Sequence, residues 1–185
     1  MFTFFCDNPF KTRDPEVPNT SQSAWVPPHT AEDLLANMQS AIREKNPDNY
    51  IRCYIEDAVE GRRFQFVPDP DVAIQYPYLN AWTREAESNM IKLTFSYLPA
   101  DSGISLVFGE SIREVVTADS VVMLKPYTFS IHHNQPELPR TLEGQAELWM
   151  TENAIGEWTI YRWQDYAAEN QAPWSEWKAN LGGEP

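Results

Sequence analysis

Acid–base chemistry in this 185-residue chain would have to come from a few carboxylates, two histidines and an arginine. Such work needs a carboxylate of shifted pKa beside a hydrogen-bond donor. Glu110 and Glu114 share a face with Ile112 in a two-residue alternation, so one of them projects inward if that face is the covered one. His132 and His133 are neighbours on a strand-like run. Their side chains must leave opposite faces, so they do not both ligate one metal. Arg162 completes the set. The competing reading of each is a strand-end polar residue on a solvated face. The chain has no nucleophile elbow, phosphate-binding glycine loop, HExxH motif or paired metal spacing. No residue is therefore assigned a catalytic role, and no metal or cofactor is implied.

A second set is aromatic. Tyr54, Phe66, Trp82, Tyr97, Tyr127, Phe129 and Trp163 come from separate elements that would surround a common interior. Large rings with polar tips suit a pocket for an apolar or sugar-like small molecule, and they equally suit a filled core.

The elements that must position these residues can be read from the hydrophobic pattern. Thr30 is a candidate N-cap, and Leu34, Leu35, Met38, Ala41 and Ile42 fall on one helical face. Asn46-Pro47 opens a second helix with Tyr50, Ile51, Tyr54 and Ile55 on its buried side. The run from Arg62 to Val67 alternates as a short strand and stops at Pro68-Asp69-Pro70. Pro77 opens a third helix, with Leu79, Trp82, Ala86, Met90, Leu93 and Tyr97 as its stripe and Pro99 as its end. From Ile104 the period changes to two. One or two strands end near Val116, another runs from Val121 to Ile131, a third from Leu142 to Met150 and a last from Trp158 to Trp163. Glu143, Gln145 and Glu147 form a polar stripe on the outer side. Pro173-Trp174-Ser175-Glu176-Trp177 reads as one helical turn docking back on the domain. Helices ahead of a run of long strands indicate an α+β domain, with three N-terminal helices packed in a strongly curved antiparallel sheet.

Composition narrows the functions open to such a domain. Fourteen basic against 27 acidic side chains give a net charge of −13, which repels phosphate backbones and excludes nucleic acid as a main partner. No apolar run approaches the roughly 18 residues that span a bilayer. Seven Trp, eight Tyr and nine Phe argue for a packed core rather than disorder. Cys53 falls in a helical pattern as a small buried residue. Cys6 follows a short apolar stub and precedes an extended segment holding Pro9, Pro15, Pro18, Pro27 and Pro28. That arrangement fits either a free thiol or a lipid-carrying cysteine followed by a tether.

The element order resembles the nuclear transport factor 2-like (cystatin-like α+β) superfamily, a cone with a pocket at its wide end. The last strand, Gly156-Glu157-Trp158-Thr159-Ile160-Tyr161-Arg162-Trp163-Gln164-Asp165, is similar to that superfamily's common ending, and the match covers residues 30–166. A closer resemblance is to uncharacterised bacterial lipoproteins with this domain. It is carried by Asn8-Pro9-Phe10, Arg13-Asp14-Pro15-Glu16 and Trp25-Val26-Pro27-Pro28 in the tether. In the domain it is carried by Leu35-Ala36-Asn37-Met38, Trp82 with Glu85, Gly144-Gln145 and Trp174-Ser175-Glu176-Trp177-Lys178. This resemblance implies lipidation at Cys6 and brings no chemistry with it.

The expected organisation is a Pro-rich tether over 1–28 and a cone-shaped domain over 29–180. The expected pocket residues are Tyr54, Phe66, Trp82, Tyr97, Glu114, Tyr127, Phe129, His132 and Trp163. The leading expectation is a non-enzymatic small-ligand-binding or protein-interaction domain of a lipoprotein in the bacterial envelope or periplasm. The alternative is a cofactor-independent isomerase, dehydratase or hydrolase resembling ketosteroid isomerase or polyketide cyclases, and the alternative location is cytoplasmic. Expected partners are an apolar or sugar-like small molecule and a second copy joined through the sheet, with a membrane reached only by a lipid anchor. A deep empty pocket with buried carboxylates favours the enzyme, a filled cone a scaffold, and an apolar open cone a binder.

Overall fold

Thr30 starts the first helix as expected: its hydroxyl accepts from the Asp33 N–H at 3.1 Å. Helix α1 (Ala31–Arg43) then buries Leu34, Leu35, Met38, Ala41 and Ile42. A computed structural model of the chain describes residues 25–182. The proposed lipidation site Cys6 and most of the Pro-rich stretch lie outside them. The remainder of that stretch is sewn to the domain. The Asn37 side chain, buried on α1, exchanges hydrogen bonds with the Val26 backbone at 2.6 and 3.3 Å. The Trp25 ring lies under the Arg52 guanidinium at 4.2 Å, and the Pro28 carbonyl accepts from the Trp158 N–H.

Asn46 caps α2 (Pro47–Arg52), which carries Tyr50 into the core. The strand β1 (Gln65–Val67) is short and pairs in parallel with the last strand, placing Phe66 opposite Trp163. Asp69, expected only to end that strand, also caps a further helix, α3 (Pro70–Gln75). The single helix expected from Pro77 is divided. A 3₁₀ segment (Pro77–Ala81) ends at Trp82, and α4 (Arg84–Ser96) begins anew with the Thr83 hydroxyl accepting from the Ala86 N–H. Trp82 and Thr83 have extended backbones, because a capping residue leaves helical geometry so that its side chain can accept from the first turn.

The sheet follows in antiparallel order: β2 (Ile104–Phe108), β3 (Arg113–Val116), β4 (Ser120–Ile131), β5 (Thr141–Glu152) and β6 (Trp158–Ala167). The spatial order is β1-β6-β5-β4-β2, with β3 on the same edge of β4 as β2. One face of the other strands, β3 being exposed throughout, supplies the core, with Leu106, Met123, Tyr127, Phe129, Leu142, Leu148, Met150 and Trp163 among its residues. A register shift between Trp149 and Met150 adds local curvature to the β5–β6 pair. The C-terminal segment is longer than one turn. It forms α5 (Trp174–Gly182), whose Trp174, Ser175, Trp177, Lys178 and Ala179 are buried.

Candidate functional site

The interior of the cone is polar at its centre. Helix α4 turns Glu87, Met90, Ile91 and Thr94 inward, so its buried face is rotated from the expected stripe, and Ala86, Leu93 and Tyr97 are half-buried at its flanks. Glu87 is fully buried. Its Oε1 accepts from the Tyr50 hydroxyl at 2.6 Å, and its Oε2 accepts from the Trp82 indole N–H at 2.7 Å and from the Lys178 ammonium. The Tyr50 and Tyr54 hydroxyls are 2.9 Å apart. Burial pushes both phenols well above their ordinary range, and the Glu87 charge pushes the same way. Burial pulls the Lys178 ammonium below the usual lysine range, against the opposing pull of Glu87 and Asp165.

A second carboxylate, Asp165, lies on the inner face of β6. Its Oδ1 accepts from the Tyr127 hydroxyl at 2.7 Å, and its Oδ2 accepts from the Ser175 N–H and hydroxyl at 2.6 and 2.5 Å. Burial raises this carboxyl above its ordinary range, opposed by the Ser175 and Tyr127 hydrogen bonds and by Lys178. The Tyr127 oxygen accepts in turn from the Trp174 N–H at 2.7 Å. Gly144 makes this arrangement possible: a Cβ there would overlap the Tyr166 carbonyl oxygen and lie 2.6 Å from the Tyr127 oxygen. Ser175 Oγ also accepts from the Asp69 N–H, and Asp69 accepts from the Ala167 N–H. Each interior carboxylate is thus held by a residue of α5. The rest of that helix completes the filling. Trp174 stacks on Phe129 with centroids 4.5 Å apart, and the Trp177 indole donates to Thr94 Oγ1 at 2.9 Å.

The expected pocket residues divide between this interior and the surface. Tyr54, Phe66, Trp82, Tyr127, Phe129 and Trp163 are buried in one cluster, and Tyr97 is half-buried at the end of α4. Glu114 and His132 are exposed. Glu114 pairs with Met123 on the edge strand β3, where no helix covers it, and His132 stands at the end of β4. Glu110 is likewise exposed in the β2–β3 turn. The alternation at the histidines is as expected, with His133 buried. Its Nδ1 accepts from the Gln135 N–H, so Nε2 carries the proton donated to the Pro139 carbonyl at 3.0 Å. Arg162 points outward over Trp149 at 4.5 Å. Glu147, read as part of a wet outer stripe, is nearly buried there beside Arg113 and Tyr166.

Sequence reasoning missed Glu87, Lys178 and Ser175, and it met Asp165 only as the end of a strand motif. A signal existed for Glu87: it lies four residues before Ile91 and seven before Thr94, on the face that Met90 and Leu98 also share. Outside the cone, a surface cleft of about 390 Å³ opens between α2, the start of α4 and the β5–β6 hairpin. Tyr54 lines it, linking the cleft to the Glu87 network. Among the described residues, no group of three His, Cys, Asp or Glu side chains is placed to hold a metal.

No protein-family model matches the chain, and no curated protein matches its sequence. Solved structures do resemble it. A conserved protein from Planctomyces limnophilus superposes with a TM-score of 0.57 at 11% identity, over 74% of this chain and 92% of that one. A scytalone dehydratase-like protein from Novosphingobium aromaticivorans gives 0.56 at 12%, over 74% and 80%. A nuclear transport factor 2-like superfamily protein from Salmonella enterica gives 0.54 at 10%, over 73% and 86%. The chain has the nuclear transport factor 2-like fold.

Proposed function

We propose that the domain is a non-enzymatic binding and interaction module of the bacterial envelope, displayed on a tether lipidated at Cys6. One observation carries the reading: both carboxylates inside the cone are engaged by the chain's own α5, Glu87 by Lys178 and Asp165 by Ser175. General acid–base catalysis requires such a group to reach a proton on a substrate, and here each is already saturated. The outer sheet face, where Val107 and Val115 are exposed, is the surface this reading offers to a second copy.

The competing reading is a cofactor-independent isomerase, dehydratase or hydrolase. It is favoured by the Tyr127–Asp165 pair, a phenol on a buried carboxyl whose pKa is raised, and by the likeness to a scytalone dehydratase-like protein. It requires α5 to leave the cone. The test is turnover by the full chain across hydroxyketones, epoxides and conjugated enones. The binding reading expects none. Turnover that Glu87→Gln or Asp165→Asn abolishes would establish the enzyme instead.

A further inference from the structure

Helix α5 fills the cone with two indole rings and one ammonium group. Lys178 Nζ lies against the Glu87 carboxylate and over the ring faces of Phe66 at 4.0 Å and Trp82 at 5.3 Å. An anion on one side and aromatic faces on the others is how proteins hold organic ammonium groups. Trp174, one helical turn before Lys178 on the same face, lies flat on Phe129 with the planes 10° apart. The ammonium is 5.4 Å from the Trp174 ring centroid. The fit is incomplete, because the indole nitrogens of Trp163 and Trp174 are buried without a hydrogen-bond partner among the described residues.

We infer that the interior of the cone is a recognition site for an arylalkylamine, and that α5 occupies it as an internal ligand. The walls belonging to the rest of the domain are Phe66, Trp82 and Glu87 for the ammonium and Phe129 for the ring. The occupant must be cationic, because a neutral molecule displacing Lys178 would leave Glu87 buried without a counter-charge. The spacing of ring and ammonium is that between Trp174 and Lys178. The assignment rests on the binding reading of the cone and names its ligand class.

The test uses the full chain. In Lys178→Ala the ammonium subsite is vacated. n-Propylammonium is expected to raise the melting midpoint by at least about 2 °C at concentrations where 1-propanol and sodium chloride do not. Adding Glu87→Gln to that variant is expected to remove the effect. In the wild type, tryptamine is expected to speed amide exchange of Ser175–Ala179 several-fold, while tryptophol, its neutral analogue, leaves it unchanged. Equal stabilisation by 1-propanol, or none by the ammonium ion, overturns the assignment. So does unchanged exchange of α5 with tryptamine, the measurement that decides alone should Lys178→Ala not fold. Turnover by the wild type would overturn the non-enzymatic reading and leave ammonium selectivity standing, while loss of selectivity would leave that reading intact.

Discussion

Removing one partner of the Glu87–Lys178 pair strands the other in the low-dielectric interior of the cone. Lys178 is 1% exposed and Glu87 0%, so neither charge can recover hydration, and a broken buried pair costs about 3–5 kcal/mol. Lys178→Met is expected to cost that much in urea denaturation. Glu87→Gln added to it is expected to restore part of the loss, because the amide carbonyl still accepts from Tyr50 or Trp82 and no unpaired charge remains. Strictly additive costs would show that the two residues do not act as a pair. Of these residues, Tyr54, Trp82 and Tyr127 were legible from their size and spacing, since a large ring in a periodic apolar stripe is nearly always inside. Lys178 was not. A lysine between Trp177 and Ala179 reads as solvent-facing, and only the carboxylate brought to it from α4, 91 residues earlier in the chain, makes its burial tolerable.

At the scale of elements, α5 is held by few but well-placed bonds. Ser175 donates twice to Asp165 and accepts once from Asp69, so it joins α5 to β6 and to the start of α3 at one point. Ser175→Ala is expected to destabilise the protein by about 1–3 kcal/mol, the cost of leaving buried groups unsatisfied. Amide exchange is expected to quicken in α5 and α3 while β4 and β5 stay protected; uniform acceleration across the sheet would show that α5 is not a separately docked element. Most helices and strands were legible, because their caps and periods are local, whereas α3 and the break ahead of α4 were not. Thr30 and Asn46 each accept from an N–H three residues on, and the two-residue alternation of β4 to β6 was plain. The phase of α4 was not. Two faces of its sequence carry apolar residues at helical spacing, and packing against α2 and α5 selected the one that includes Glu87.

At the scale of the whole molecule, the tether proposal makes the position of Cys6 decisive. Residues 7–24 separate it in sequence from Trp25, whose ring lies under the Arg52 guanidinium. Expressed from its own gene in a bacterial host, the protein is expected to gain the mass of a lipid anchor and to enter the detergent phase. Cys6→Ser is expected to abolish both; an unacylated wild-type chain would remove the envelope reading while leaving the fold untouched. The sequence by itself determined the class of the fold and the order of its principal helices and strands, because periodicity and capping are properties of neighbouring residues. Tertiary structure alone decided what fills the cone. Whether a carboxylate there is open to a substrate or closed by a lysine depends on a contact between α4 and a helix at the far end of the chain, and no local pattern encodes a contact of that span.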